Sequence, residues 1–443
     1  MTWSWSDPFV RRAVVAVVDG VHERRDAQRP GGNEVDGFDR DQAADLVMAE
    51  IRRLRIDAPT LTPAGMTPDE QSALWASVRQ AAAAELAGLG RLQPLLDDDT
   101  VEDINVNGCD EVWVIRSDGS KSVGEPVADS DEGLVKLGQR IARRYGREGE
   151  QEWSETRPVA DITLDTGHRV SLVRDTVPRP TISIRRPDLS LRQVSQLVAL
   201  GTLHEAVAEF LAAVVRSGAN VLVAGGTKAG KTTTMRCLLN EIDPVERIIT
   251  IEDVRELELG HPTMLNGDGS PLHTDVVAFA TRRPNAEGEG GFTLADGLRA
   301  SKRLNPDRLV VGEVRSSEAA ELLDAMMGEA GGSVCTIHAS SARAALARME
   351  YLAAEHSTMS EAGSRRRVAD AVDVVCWQRQ DPETGRRYVA EVIEVGQLDG
   401  DTISIYEVYR VDPDGRLSGD GPSVKMRQWL ASHGWRHGMR AVE

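Results

Sequence analysis

The stretch GGTKAGKT, residues 225–232, decides the fold of this chain. It fits the pattern GxxxxGKS/T, follows an apolar run at residues 221–224 and precedes a helical pattern at residues 232–239. In this pattern the backbone N–H groups of the loop and the positive end of the helix surround phosphate groups. The sequence therefore predicts a nucleotide-binding loop between a strand and a helix of an α/β domain.

Single residues of this loop have separate predicted roles. We expect Lys231 to reach the β- and γ-phosphates of ATP and the Thr232 hydroxyl to hold Mg2+, so both ATP and Mg2+ are predicted cofactors. Lys231 is therefore also a candidate catalytic residue. The segment predicted to bind the nucleotide consists of Gly225, Gly226, Thr227, Lys228, Ala229, Gly230, Lys231, Thr232 and Thr233.

Three further apolar runs after the loop predict strands, and helical patterns alternate with them. They are RIITI (247–251), RLVVG (308–312) and SVCTI (333–337). This alternation favours a mostly parallel sheet with helices on its faces. Ligands of such sheets bind outside the carboxyl ends of the strands. The polar residues at these ends are Glu252, Asp253, Glu313 and His338.

The residues at the strand ends suggest metal binding and catalysis. Glu313 ends an apolar strand, the general form of a carboxylate that contacts Mg2+ through water or orients the attacking water. Glu252 and Asp253 place two more carboxylates beside the phosphates, and Asp253 joins Thr232 and Glu313 as a candidate metal ligand. His338 is a candidate for contacting the γ-phosphate, although a lone histidine is more often structural.

Arginines are candidates because guanidinium groups neutralise the charge that phosphoryl transfer places on the γ-phosphate. The α+β region offers Arg169, Arg185 and Arg186, and the region after the loop offers Arg282, Arg299, Arg303 and Arg315. The competing interpretation is that they form surface salt bridges. The predicted nucleotide contacts among them are Arg169, Arg185, Arg282 and Arg315.

The chain as a whole predicts three segments. Residues 1–66 mix charges with a Gly-rich piece, and we expect a partly helical, mobile extension. Residues 67–190 begin with a helix start at Thr67 and continue as short β-prone runs around one helical segment, which predicts an α+β domain. Residues 191–443 form the P-loop domain with a C-terminal subregion.

Composition excludes several classes of protein. The 443 residues carry a formal net charge of -18, which opposes a general affinity for nucleic acid or anionic lipid. No apolar run is long enough for a signal peptide or a membrane span, so we expect membrane association only through partners. The cysteines are far apart and predicted to be reduced, which indicates the cytosol: Cys109, Cys237, Cys335 and Cys376.

The ordered motifs resemble the CpaF-type (tight-adherence) ATPases of the type II/type IV secretion superfamily. The residues concerned are GGTKAGKTT (225–233), RIITIEDVRELEL (247–259), TRRPN (281–285), DGLRASKRLNPDRLVVGEVR (296–315) and GGSVCTIHASSARAALARME (331–350). The resemblance implies a hexameric ring of RecA-like ATPase domains, each preceded by a smaller α+β N-terminal domain. It also implies a location at the cytoplasmic face of the inner membrane, with platform proteins of a secretion or pilus system as partners.

The family motifs carry over onto this chain in order. Walker A falls on residues 225–232, the Asp box on 251–256, Walker B on 309–315 and the His box on 332–338. The resemblance makes Glu252 a favoured general base and puts Glu313 near the metal, and sequence alone leaves both as candidates for the base.

Two departures from the family stand out. The family loop usually has GGTGSGKTT, so Lys228 and Ala229 replace glycine and serine, and Glu329-Ala330 replace Gly-His before the His box. A lysine at a position that needs positive φ costs about 1 kcal/mol. A second ammonium near the phosphates, or one that reaches a neighbouring subunit, would offset this cost.

Three functions follow as hypotheses. The first is an Mg-ATP hydrolysing motor of a secretion or pilus-assembly apparatus. The second is a nucleotide-binding structural or regulatory subunit that has lost turnover. The third is a DNA-transfer ATPase of a conjugative element, which the acidic net charge disfavours without excluding it, because a ring can hide a basic pore.

Overall fold

The structure, a computed structural model, divides into two compact units, Met1–Asp188 and Leu189–Glu443. It describes residues 7–28, 40–57, 61–146, 153–186, 191–260, 265–266, 269–282, 284, 288–328, 331–355, 357–433 and 435. Within these residues no helix is both long and apolar enough to cross a membrane. The four cysteines are free thiols, and three of them are buried.

The first unit opens with three helices, α1 (Pro8–Gln28), α2 (Arg40–Asp57) and α3 (Pro68–Ala87). They pack against one another around an apolar core of their own, in which Val14, Val47 and Leu74 are almost fully buried. This arrangement differs from the mobile extension predicted for residues 1–66, because α1 and α2 each bury an apolar face in contact with α3.

Helix α3 begins where the sequence predicts it. Thr67 Oγ1 accepts a hydrogen bond from the Glu70 backbone N–H at 3.3 Å, and the Glu70 carboxylate accepts one from the Thr67 N–H at 2.8 Å. This capping box pairs backbone N–H groups that the first turn of a helix leaves without partners.

An antiparallel sheet forms the rest of the first unit. Its strand order is β3-β2-β1-β6-β5-β4, and helix α5 covers its apolar face with Leu134 and Ile141. In β4, β5 and β6 buried residues alternate with half-buried or exposed ones, which is why short β-prone runs predicted them. The elements are α4 (Gln93–Asp97), β1 (Val101–Asn107), β2 (Val112–Arg116), β3 (Lys121–Val123), α5 (Asp131–Tyr145), β4 (Val159–Thr163), β5 (Arg169–Val173) and β6 (Thr181–Arg185).

The second unit is built on a sheet with the strand order β15-β14-β13-β12-β7-β11-β10-β8-β9. The strands from β12 to β9 in this order are parallel, and β13 to β15 extend the sheet as antiparallel strands. In chain order the elements are α6 (Val194–Ala199), α7 (Glu205–Arg216), β7 (Val221–Gly225), α8 (Lys231–Leu239), β8 (Ile248–Glu252), β9 (Val276–Ala280), α9 (Leu294–Ser301), β10 (Arg308–Val314), α10 (Glu318–Met326), β11 (Val334–His338), α11 (Ala342–Glu355), α12 (Glu361–Ala371), β12 (Val374–Gln380), β13 (Arg387–Asp399), β14 (Thr402–Val411), β15 (Leu417–Ser418) and α13 (Val424–Ser432).

Both faces of the central parallel strands are buried, whereas the edge strand β9 is half-buried. In β7, Val221 and Val223 pack into one apolar core, whereas Leu222 and Ala224 pack into a second core on the other face. Helices α7 and α8 contribute to the first core, and α9 to α12 contribute to the second. The mixed α/β fold predicted from the sequence is confirmed, and the four predicted strands are β7, β8, β10 and β11.

One prediction concerns the contact between α5 and Trp153. A Cβ added at Gly138 would lie 2.2 Å from the Trp153 ring, whereas one added at Gly133 of the same helix would meet its nearest neighbour at 3.4 Å. We expect Gly138→Ala to lower the free energy of unfolding by about 1–3 kcal/mol because the core is overpacked. The matched control Gly133→Ala should be neutral or stabilise by up to about 1 kcal/mol. Urea unfolding followed by circular dichroism measures both, and equal losses would contradict the packing described.

Candidate nucleotide site

The phosphate loop connects β7 to α8 with two residues in the left-handed region. Gly230 has a φ of +93° and Lys228 a φ of +62°. Gly225, at the end of β7, lies so close to β12 that an added Cβ would be 2.4 Å from the Gln378 carbonyl oxygen. Lys228 is exposed. Its positive φ is the condition under which the sequence analysis expects about 1 kcal/mol of backbone strain.

Lys231 is a buried cation, with 8% of its surface exposed. Its Nζ donates to the Gly226 carbonyl oxygen at 3.0 Å and lies 3.4 Å from His338 Nε2. Burial is the main cause that lowers the pKa of Lys231, and Glu313 opposes this effect. An anion bound in the loop would restore the electrostatic stabilisation that the ammonium lost on leaving water.

The ends of β8, β10 and β11 meet beside Lys231. His338 Nε2 lies 2.9 Å from Glu313 Oε1, and Arg315 donates to the other oxygen of Glu313. Arg315 also donates to Asp253 Oδ2 at 3.2 Å. One continuous network of polar contacts therefore runs from Lys231 through His338, Glu313 and Arg315 to Asp253.

In this network His338 connects Lys231 to Glu313. Burial first, and then the charges of Lys231 and Arg315, lower the pKa of His338, while Glu313 opposes them. In a neutral imidazole, Nε2 carries either a lone pair or a proton. This nitrogen therefore either accepts a hydrogen bond from Lys231 or donates one to Glu313. Glu313 Oε1 is buried and receives no aligned hydrogen bond from the described residues.

Glu252 lies deeper than Glu313, with 2% of its surface exposed. Its Oε1 accepts the backbone N–H groups of Glu256 at 3.0 Å and Leu257 at 3.1 Å. A Cβ on Gly312 would lie 2.9 Å from Glu252 Cγ, so the glycine makes room for this side chain. Glu252 thus shapes the loop after β8, whereas the Glu313 side chain remains 17% exposed.

The remaining residues predicted to contact nucleotide lie in different parts of the fold. Thr232 and Thr233 are half-buried in the first turn of α8. Arg282 donates from Nε to the Gly290 carbonyl oxygen within the segment after β9. Arg169 and Arg185 lie opposite each other on β5 and β6 of the first unit, where Arg185 is 3.9 Å from Asp103. Residues 329–330, where the chain departs from the family before the His box, lie outside the described residues.

Two residues beside the loop were missed by the sequence analysis. Gln378 of β12 and Arg387 of β13 pack against Gly230. They come about 150 residues after the loop and match no motif. The pairing of β12 with β7, and of β13 with β12, brings them there.

The chain's own residues are compatible with Mg2+. Among the described residues no group of three or more His, Cys, Asp or Glu side chains could hold a metal ion by itself. Magnesium in nucleotide sites needs only one or two carboxylates, because phosphates and water complete its coordination. The buried Glu313 Oε1 without an aligned hydrogen bond fits this requirement, and Arg315 pairs with Glu313 Oε2 and Asp253 Oδ2.

Comparisons with known proteins point to one family. The sequence profile of the type II/IV secretion system protein family matches residues 85–398. A candidate conjugal transfer protein of Mycobacterium tuberculosis is 35% identical over 326 residues, which cover 71% of this chain and 87% of that protein. The type IV secretion system protein VirB11 of Brucella suis is 29% identical over 313 residues, covering 65% of this chain and 81% of VirB11.

A solved structure shares the fold. The pilus retraction motor PilT with bound ADP superposes with a TM-score of 0.50 at 18% sequence identity, over 78% of this chain and 86% of PilT. At this identity the likeness concerns the fold alone.

A prediction follows from the strained loop residue. Thr227→Gly adds freedom to the unfolded chain without relieving positive φ, and we expect it to cost about 0.4–1 kcal/mol. Lys228→Gly adds the same freedom but removes about 1 kcal/mol of strain, so its free energy of unfolding should equal or exceed that of the wild type. Urea unfolding without nucleotide compares the two variants. If both lose the same stability, Lys228 is not strained.

Proposed function

Because this chain belongs to the type II/IV secretion system protein family, we propose that it is an Mg-ATP hydrolysing motor of a secretion or pilus-assembly apparatus. The observation that supports this most is the buried ammonium of Lys231, which lies in a phosphate loop and leads through His338 to Glu313. A buried cation, an imidazole and a carboxylate side by side supply the groups that phosphoryl transfer to water requires.

The proposed chemistry assigns tasks to the groups of the site, and Glu313 serves both the attacking water and Mg2+. Backbone N–H groups of the loop bind the polyphosphate, and Lys231 exchanges its bond to the Gly226 carbonyl for a phosphate oxygen. Glu313 orients the attacking water and takes its proton, because Glu252 Oε1 already accepts two backbone N–H groups. Thr232 and Glu313 would hold Mg2+, which when bound neutralises charge on the phosphates.

His338 and Arg315 control the charge around Glu313 in this proposal. Burial and the charges of Lys231 and Arg315 lower the pKa of His338, which favours the neutral ring over a second positive charge beside Lys231. Arg315, held between Glu313 and Asp253, is the guanidinium of this unit that we assign to the γ-phosphate.

The assembly is also part of the proposal. The resemblance to CpaF-type ATPases supports a homohexamer whose partners are inner-membrane platform proteins, at the cytoplasmic face of the membrane. In such a ring Arg169 and Arg185 remain candidates for contacting nucleotide, as does Arg282. The domain bounds 1–66, 67–190 and 191–443 likewise stay predictions.

A DNA-transfer ATPase is the second candidate, because the relative from Mycobacterium tuberculosis is named for conjugal transfer. The net charge of -18 argues against it, since an acidic surface repels nucleic acid.

The central prediction concerns turnover. We expect the purified chain to release phosphate from ATP with Mg2+, and Lys231→Ala and Glu313→Gln each to lower kcat by about 100-fold or more, because each removes a group facing the phosphates. Lys302→Ala and Glu321→Gln are controls that should keep activity, because they change a pair 3.9 Å apart in the same unit, in which Lys302 is exposed and Glu321 half-buried. Full activity of both site variants would contradict the proposal. Nucleotide binding without turnover by the wild type would support a regulatory subunit instead.

A second measurement separates the two candidate functions. ATP turnover is compared with and without double-stranded DNA at 50 and 200 mM salt. A secretion or pilus motor should show no stimulation by DNA at either salt concentration. A DNA-transfer ATPase should be stimulated at low salt and lose the effect at high salt, because phosphate contacts release counterions.

A further inference from the structure

The hairpin of β12 and β13 lies directly beside the phosphate loop. Strand β12 pairs in parallel with β7, and this pairing sets Gln378 opposite Gly225, the first residue of the loop. Strand β13 turns back antiparallel and begins at Arg387, opposite Gln380. The hairpin therefore brings residues far along the chain to the same sheet edge as the loop.

Gln378 fits against both ends of the loop. Its carbonyl oxygen would be 2.4 Å from a Cβ on Gly225, and its side-chain Nε2 would be 3.1 Å from a Cβ on Gly230. The β12–β13 ladder shifts register between Trp377 and Gln378, and such bulges redirect side chains. Gln378 is 1% exposed, and its Oε1 has no hydrogen-bond partner among the described residues. The hairpin is thus packed to fit the loop.

Arg387 packs beside Gln378 against Gly230. Its Cδ would be 3.4 Å from a Cβ on Gly230, so its aliphatic stem packs on the residue that precedes Lys231. Its side chain is exposed, and among the described residues its guanidinium has no hydrogen bond, ion pair or aromatic partner.

The other arginines of the hairpin are engaged elsewhere. Arg379 lies over the Trp377 ring at 5.8 Å, and Arg386 lies over the Tyr388 ring at 5.2 Å. The chain has 70 acidic and 52 basic residues, so an arginine without an acidic partner is unexpected on its surface. An unpaired guanidinium whose aliphatic stem packs on a phosphate loop has the chemistry to bind phosphate there.

We propose that Arg387 is a nucleotide-contacting residue, whose guanidinium binds a phosphate group of the nucleotide held by the loop. The inference rests on the proposed function, because it requires a nucleotide at Gly225–Gly230. It adds a contact from within the same unit, on the side of the loop opposite to Glu313: β12 flanks β7 on one side, and β11 and β10 follow on the other.

Calorimetric titration of the full chain with Mg-ADP tests the proposal. Loss of a hydrogen bond to a charged group costs about 1.5–3 kcal/mol, so Arg387→Gln should weaken Kd by about 10-fold or more. Arg387→Lys, which keeps the charge but not the bidentate geometry, should lose less. Arg379→Gln, on the same hairpin, is the matched control and should bind as the wild type does. Thermal melting of each variant without nucleotide checks that the fold is retained.

Two further titrations separate this inference from the proposed function. One measures adenosine binding, and the other measures Mg-ADP binding by Lys231→Ala. A weakened Kd for Mg-ADP together with an unchanged affinity for adenosine supports a phosphate contact by Arg387. If Lys231→Ala abolishes Mg-ADP binding while Arg387→Gln stays within twofold of the wild type, the Arg387 contact is overturned and the proposed function stands. If the wild type binds no Mg-ADP, both are overturned.

Discussion

Lys231 is a cation that folding removes from water without a hydrogen-bonded carboxylate among the residues that the structure describes. Among the described residues its ammonium contacts a carbonyl oxygen and an imidazole, and burial lowers its pKa. Neither contact compensates fully for lost hydration, because neutral acceptors stabilise an ammonium less than an anion does. A place suited to polyphosphate lies beside this ammonium. It is surrounded by the loop glycines, by the left-handed backbone at residues 228 and 230 and by the Glu313 carboxylate.

The parallel sheet is what makes this arrangement possible. Lys231 and His338 are 107 residues apart in sequence, yet β7 and β11 are neighbours and their carboxyl ends coincide. Strands β10 and β8 continue in the same direction and add Glu313 and Glu252 to that edge. Burial of both sheet faces fixes the strand register, so the relative positions of these side chains depend on two apolar cores rather than on their own contacts.

The sequence predicted those parts of the fold and site that depend on local signals. The loop, the four apolar strands and the cap at Thr67 are local patterns, and the strand ends then follow from the general rule for α/β sheets. The packing of α1 and α2 was not predictable, because it depends on apolar contacts with α3 across a charged, Gly-rich segment. Arg387 was missed for a similar reason, since the pairing of β13 with β12 and of β12 with β7 brings it to the loop. The hydrogen bonds of Glu252 to backbone N–H groups at residues 256 and 257 likewise have no side-chain signal.

A structure determined with a non-hydrolysable ATP analogue and Mg2+ would test most directly whether the buried ammonium of Lys231 is built for polyphosphate. We predict that the phosphates occupy the loop at residues 225–232 and that Lys231 Nζ leaves the Gly226 carbonyl oxygen for a phosphate oxygen. A loop that stays empty at saturating analogue, or a nucleotide bound elsewhere with Lys231 still on Gly226, would contradict it.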